Sequence, residues 1–298
     1  MPLNLHHLRV FSAVAEQGSF SRAAAALRLS QPAVSKTVQQ LEREVGLALF
    51  DRSGRSPRLT DAGAALFARA REIFGVERVA EEELGALRGL ERGVLRVGAS
   101  TTVATYFLPP LLAQFHKQHP AVTLRVLSAN TRAVARRLLE GRLDIALVEG
   151  PVSHARISVT PWRDDELVVI APATHRLVRK KRVTGADLAD ESFILREPGS
   201  GTRVVAESAL AEHGVHPQAT MQLGSTEAIK QAVAAGLGIA VVSRAAAADQ
   251  LALGYIAVVP LRSAAFRRAL TELRLSGRSP SAAASAFREL LGGAGAAR

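Results

Sequence analysis

The first 45 residues carry three apolar stripes at helical spacing, separated by short polar breaks. Leu5, Leu8, Phe11, Val14 and Ala15 form the first stripe, and Gly18 stops it. Ser19 then caps a short helix over residues 21–27, whose alanines permit close helix-to-helix approach. Arg28-Leu29 makes a turn, and Ser30 caps a third helix that tolerates Pro32 in its first turn. In that helix Val34, Val38, Leu41 and Val45 are spaced four, three and four apart, which makes one buried stripe. Pro32, Lys36, Gln39 and Arg43 lie on the opposite face, with Ser35 on its flank. Gly46 ends the helix. Leu47 to Phe50 reads as extended, a turn-rich stretch carries Arg52, Arg55 and Arg58, and Leu59-Thr60 returns, which predicts a β-hairpin wing.

Thr60-Asp61 caps a long helix running towards Leu90, about 45 Å at roughly 30 residues. Leu66, Ala70, Ile73, Ala80, Leu84 and Leu87 keep heptad-like spacing, and Glu77 interrupts it. That stripe suits pairing with a second copy or packing against the chain's own domains. From Val94 the pattern changes to strand–helix alternation. Strands are expected over residues 94–99, 122–127 and 143–148, with helices over 103–119 and from Asn130-Thr131 onward. This βαβαβ order indicates a mostly parallel sheet, with a ligand crevice at the carboxyl ends of its strands. A second unit follows, with strands at 167–170, 193–195 and 239–242, a helix after Thr202 reaching His213 and a helix after Ser225. Residues 269–275 cross back to the first lobe, and residues 292–298 read as a frayed tail.

Composition narrows the partners. Basic residues outnumber acidic ones, 38 to 27, for a net charge of +11, which favours a polyanion, an anionic surface or an acidic ligand. No cysteine is present, which excludes disulfides, thiolate-ligated zinc and iron–sulfur clusters. No apolar run reaches membrane-spanning length and no signal peptide is visible, so a cytoplasmic protein without a membrane partner is expected. No metal site and no cofactor is implied.

A helix with a dry side and a donor-rich, partly cationic side suits a DNA major groove, where its N-terminal residues meet base edges and phosphates. Alone, such a face is more often simply solvated. Three helices, a short turn, a cap with proline and then a basic hairpin are a specific combination, and it indicates DNA binding. Arg55 at the wing tip is placed to reach a minor groove, and Arg52 and Arg58 to contact phosphates.

Residues 19–36 (SFSRAAAALRLSQPAVSK) and 41–52 (LEREVGLALFDR) resemble the signature of LysR-type transcriptional regulators. The resemblance implies a winged helix-turn-helix over residues 1–60, a linker and dimerisation helix over 61–92, and an effector-binding domain over 93–298. It gives that domain a two-lobed, periplasmic-binding-protein-like α/β fold, lobe I at about 93–163 and 266–298 and lobe II at about 164–265. Ser30, Gln31, Pro32, Ser35, Lys36 and Gln39 then sit at the groove, with Arg52, Arg55 and Arg58 in the wing. Position 36 is more often arginine in this family, and lysine lacks the bidentate fork for guanine, so Lys36 suits a phosphate. The implied partners are double-stranded DNA with an inverted-repeat operator, a second copy in a homodimer that pairs into a homotetramer, and RNA polymerase.

Three hydroxyl-rich helix starts hold the chemistry of the larger domain: Ser100-Thr101-Thr102, Asn130-Thr131 and Gly199-Ser200-Gly201-Thr202. Free backbone N–H groups at a positive helix end suit a carboxylate, phosphate or sulfur oxyanion. Each alone is an ordinary N-cap; three converging on one cleft would be a site for a small anionic effector, and the resemblance implies that they converge. Residues 196–203 (REPGSGTR) also resemble the LysR-type subgroup that controls carbon-fixation and sulfur-assimilation operons. The rival classes are an enzyme and a lone solute-binding protein. No G-x-S-x-G, Walker loop or H-E-x-x-H occurs, no catalytic residue is assigned, and the DNA-binding module argues against a solute carrier.

Overall fold

The computed structural model describes residues 3–51, 56–87, 93–217, 219–261 and 266–296. The chain divides into two compact units within one helix, between Glu81 and Glu82.

In the first unit α1 (Leu5–Gln17), α2 (Phe20–Leu27) and α3 (Gln31–Val45) start where polar side chains accept the first free backbone N–H groups. Asn4 Oδ1 takes His6 N at 2.9 Å, Ser19 Oγ takes Arg22 N at 3.3 Å and Ser30 Oγ takes Ala33 N at 3.4 Å. The turn between α2 and α3 runs through Arg28, the only non-glycine at positive φ (56°) among the described residues. Leu8, Phe11 and Val14 meet Ala23 and Ala24 of α2 and Val34, Val38 and Leu41 of α3 in one core, so the periodic residues of all three helices face inward. Each large side chain buried there stabilises by about 1.5–3 kcal/mol.

The wing forms from β1 (Phe50–Asp51) and β2 (Arg58–Leu59), antiparallel with Phe50 opposite Leu59. Glu42 of α3 holds its start, its Oε1 accepting from Leu49 N at 2.8 Å and Phe50 N at 3.2 Å. Thr60 Oγ1 donates to Ala48 O at 2.7 Å and accepts from Gly63 N at 3.0 Å, capping α4 (Asp61–Leu87). Leu66, Ala70 and Ile73 of α4 join the helix-turn-helix core, whereas Ala80 and Leu84 are exposed. The break at Glu77 has a local cause: its carboxylate pairs with Arg9, whose guanidinium lies over the Phe74 ring. The expected continuation to Leu90 lies outside the described residues.

In the second unit β3 (Gly93–Ser100) runs parallel to β4 (Val122–Ala129) and β5 (Ile145–Glu149). Beyond β5 the sheet turns antiparallel, because β6 (Ile157–Pro172) and β11 (Phe266–Leu275) pass between the lobes. In lobe II, β6 pairs antiparallel with β9 (Ala240–Ser243) and β10 (Ile256–Val258), and β7 (Phe193–Arg196) pairs parallel with β8 (Ala219–Leu223). The mostly parallel sheet is therefore corrected: among the described strands parallel ladders form only in β4-β3-β5 and β7-β8, and the crossovers impose the antiparallel rest. The expected strand at 167–170 is the lobe II end of a 16-residue strand whose charged middle, residues 163–166, hides it in the sequence.

The helix expected over 103–119 opens as a π-helical turn, Val103–Phe107, before α5 (Leu108–Gln118). Leu108 N bonds Val103 O, and Pro109 and Pro110 then supply no N–H. α6 (Thr131–Leu139) covers one face of the lobe I sheet through Val134 and Leu138. α7 (Gly185–Ala189), α8 (Gly201–Ala211), α9 (Thr226–Ala234) and α10 (Arg244–Ala252) follow in lobe II. For residues 292–296 the frayed tail is also corrected; residues 297–298 lie outside the described residues. Ser281 Oγ accepts from Ala284 N at 3.3 Å, and α11 (Ala282–Ala296) buries Ala284, Phe287, Leu290 and Leu291 in lobe I. Its glycine-rich end stays helical because four preceding apolar anchors fix the axis.

Candidate functional site

Two polar surfaces come from these elements. The first is the outer face of α3. Gln31, Pro32, Lys36, Gln39 and Arg43 are exposed and Ser35 is half-buried, while Val34, Val38 and Leu41 on the other side are fully covered. Together with Gly46, Leu47 and Ala48 they line an open groove. Lys36 makes no ion pair among the described residues. Glu42 also borders this groove, but its carboxylate is bound to the wing backbone, so an acid that would repel phosphate serves the fold instead. Ser30 caps the helix and Arg58 is exposed on β2; Arg52 and Arg55 lie outside the described residues. At the far end of α3, hydrogen bonds from Gln40 and then His7 hold the Glu44 carboxyl below its ordinary range.

The second surface lies between the lobes of the larger unit. All three hydroxyl-bearing helix starts converge there, on Glu149 at the carboxyl end of β5. Ser100 Oγ donates to Glu149 Oε2, Thr202 Oγ1 to Oε1 at 2.8 Å, and Thr131 Oγ1 to the Glu149 carbonyl at 2.9 Å. Each of these residues is at most 4% exposed, so the junction is dry. Gly201 is there for contact: a Cβ on it would collide with the Glu149 carbonyl. Gly199, at φ +94°, turns the chain and lends its carbonyl to Arg132 N at 3.1 Å. Asn130 and Ser200 cap α6 and α8. Thr101 Oγ1 is buried without a hydrogen-bond partner.

Further residues at this junction were not singled out from the sequence. Thr226, first in α9, meets Thr102 at 3.4 Å and accepts from Arg196 Nη1 at 3.3 Å. Arg196 pairs with Glu197 at 2.8 Å. Burial raises the Glu197 carboxyl, but the hydrogen bond and charge of Arg196, helped by Asn130, bring it below its ordinary value. Tyr106 of lobe I donates to Glu227 of lobe II at 2.9 Å, and buried Lys230 pairs with the same carboxylate at 2.8 Å. Behind Thr202, Arg268 of β11 donates to Thr202 Oγ1 at 2.9 Å and to Asp165 of β6 at 2.8 Å, and Ser243 donates to Asp165 at 2.7 Å. Two of these had a signal in the sequence: Glu149 ends a strand just before a glycine, and Ser225-Thr226 repeats the Asn130-Thr131 pattern.

The bacterial regulatory helix-turn-helix model of the lysR family matches residues 5–64, and the LysR substrate binding domain model matches residues 88–296. This chain belongs to the LysR family. A LysR-family relative named RuBisCO operon transcriptional regulator, from Acidithiobacillus ferrooxidans, is 38% identical over 287 residues, 96% of this chain and 93% of the relative. Full-length OxyR from Pseudomonas aeruginosa superposes with a TM-score of 0.77 at 28% identity, covering 99% of this chain and 95% of that one. The regulatory domain of CcmR from Synechocystis, solved in complex with 2-PG, gives a TM-score of 0.65 at 30% identity, covering 69% and 99%. As a LysR-type transcriptional regulator the chain has a DNA-binding module and an effector-binding domain of periplasmic-binding-protein-like fold, and the family is one of regulators, not enzymes. Among the described residues no helix is long and apolar enough to cross a membrane.

Proposed function

We propose that this LysR-type regulator sets α3 into the major groove of an inverted-repeat operator and answers to a small anion held between its lobes. Residues 1–60 form the DNA-binding domain, 61–92 the linker and 93–298 the effector domain. Ser30, Gln31, Pro32, Ser35, Lys36 and Gln39 face the groove, Lys36 on a phosphate, Arg52 and Arg58 hold the flanking backbone, and Arg55 at the wing tip reaches a minor groove. The observation that carries this is the division of α3 into a fully buried Val34-Val38-Leu41 side and an exposed donor side whose lysine makes no ion pair among the described residues.

The effector site comprises Ser100, Thr101, Thr102, Asn130, Thr131, Gly199, Ser200, Gly201 and Thr202. Helix N-termini favour a phosphate or carboxylate there, and the 2-PG bound by the CcmR domain makes a phosphorylated acid the first compound to try. The protein works in the cytoplasm as a homodimer joined through α4, paired again into a tetramer that bends its operator and meets RNA polymerase. The name of its relative points to a carbon-fixation operon as the target. Effector binding alters the angle between the lobes, and it shifts DNA binding only by its differential affinity for the two arrangements.

A salt-titrated binding assay tests this, with DNA from upstream of the chain's own gene against a scrambled duplex, with and without 2-PG. Specific binding that weakens steeply with salt and changes with 2-PG is expected. Equal binding to both duplexes would remove the operator claim. An operator footprint indifferent to 2-PG and to other small phosphorylated acids would remove the effector claim.

A further inference from the structure

The hydroxyls assigned to an anionic effector already hold an anion, and it belongs to the chain. Glu149 accepts from Ser100 Oγ and Thr202 Oγ1 through its two carboxylate oxygens, while its own carbonyl accepts from Thr131 Oγ1. The carboxylate is 1% exposed and sits where the starts of three helices meet. Of the hydroxyls at those starts, Thr101 Oγ1 is buried and without a partner. We propose that Glu149 is a tethered competitor of the effector: the anion gains Ser100 and Thr202 by displacing this carboxylate, and Glu149 thereby sets the concentration at which the regulator responds. This rests on the cleft being the effector site.

Two physical points support it. An anion entering beside an undisplaced carboxylate would meet a like charge in a dry site, where Coulomb repulsion is weakly screened. A carboxylate tethered within the same chain also has a high effective concentration, so it lowers apparent affinity without touching the ligand. Displacement is not silent. Thr202 Oγ1, released from Glu149, stays bonded to Arg268, which is bonded to Asp165; these residues stand on β11 and β6, the two strands that pass between the lobes. The exchange of one anion for another at Thr202 is thus felt where the lobes join.

The test is titration calorimetry of the full chain with inorganic phosphate as probe, on wild type, Glu149→Gln and Glu149→Ala, each measured with and without an added Thr101→Val. The glutamine keeps the shape and two polar atoms, so it guards against a folding defect in the alanine form. Both Glu149 variants are expected to bind phosphate about ten-fold or more tighter than wild type, a change of about 1.4 kcal/mol, and Thr101→Val should abolish that gain. If binding depends on Thr101 but the Glu149 variants bind phosphate equally or more weakly, the cleft is the site and the competitor role is overturned. Absence of binding in every chain, or binding indifferent to Thr101, overturns the cleft assignment and the competitor with it.

Discussion

On α3 the donors point outward. Lys36 and Gln39 stand in solvent, and the one acid bordering the face among the described residues, Glu42, is turned onto the wing backbone. In the cleft between the lobes the donors point inward, and Ser100, Thr131 and Thr202 are each bonded to Glu149. The difference follows from solvent. Donors in water lose little by waiting for a partner, whereas a buried donor without one costs about 1–3 kcal/mol. A surface for a polyanion can therefore be left open, and a buried anion site must be provisioned from within. Donors thus form an open docking face in one unit and a network bonded onto an internal carboxylate in the other.

The sharpest way to break that comparison is to remove one member of the closed network. Arg268→Met leaves the Asp165 carboxylate buried with, among the described residues, only the Ser243 hydroxyl bonded to it, since Arg268 and Asp165 are each 2% exposed at the side chain. A loss of about 3–5 kcal/mol is expected in urea unfolding of the full chain. Leucine at both positions should recover much of it, because no buried charge is then left alone. A single variant within about 1 kcal/mol of wild type would mean that the network is wetter than its geometry implies.

Next in size is a change on the open face. Lys36→Glu should weaken operator binding about ten-fold or more, and Lys36→Ala should reduce the slope of log affinity against log salt by about one, the mark of one lost phosphate contact. Phosphate titration of the cleft should be the same as in wild type. A Lys36→Ala chain with an unchanged salt slope but relaxed base preference would place the lysine on a base edge instead.

The two regions also differ in how far the sequence discloses them. In the first unit local rules agree: Ser19, Ser30, Gly18 and Gly46 mark helix ends, and the apolar spacing of α3 alone tells its buried side from its donor side. Such contacts lie within a few residues, so periodicity captures them. The cleft is assembled over longer spans. Ser100 and Glu149 are 49 residues apart, and Thr202 and Glu149 are 53 apart. The helix starts are visible as capping residues, but nothing local says that an acid from β5 will take their hydroxyls. The crossovers are obscured for a related reason. The polar run in β6 carries Asp165, whose partner Arg268 lies 103 residues on, so alternation fails where the strand must be polar. Residues 292–296 mislead in the other direction: glycine content suggests an end, while Phe287 and Leu290, buried in lobe I, keep the helix in place.

A smaller effect tests whether the open face depends on the helix that carries it. Ser30→Ala removes the cap on Ala33 N and should cost about 1 kcal/mol in unfolding. Operator affinity should fall modestly with the salt slope preserved, since the phosphate contacts remain. A full loss of DNA binding would show that Ser30, at the groove, contributes more through the DNA than through the cap.

The smallest expected effect is a pH limb from the contact across the mouth of the cleft, where Tyr106 and Lys230 meet Glu227. The hydrogen bond from Lys230, opposed by partial burial and aided by Tyr106, holds the Glu227 carboxyl below its ordinary 4.5. A carboxyl depressed on folding contributes stability above its unfolded value, and that contribution is lost as pH falls through the lower folded value. Burial lowers the Lys230 ammonium, but its bonds to Glu227 and Tyr106 outweigh this and raise it above its ordinary 10.5. Its contribution is therefore complete below that value and is lost only as pH rises through the higher folded one. The pair, both members on α9, should thus stabilise that helix end and hold the carboxylate that Tyr106 of lobe I meets over the whole neutral range, and Lys230→Met should lower the thermal midpoint slightly at pH 7. Much of that difference from wild type should vanish as the pH is taken below 4.5. A difference that stays constant into strong acid would assign the effect to lost packing of the lysine stem on the Tyr106 ring, which lies 5.2 Å from the ammonium. The charge on Glu227 would then play no part in holding the lobes together.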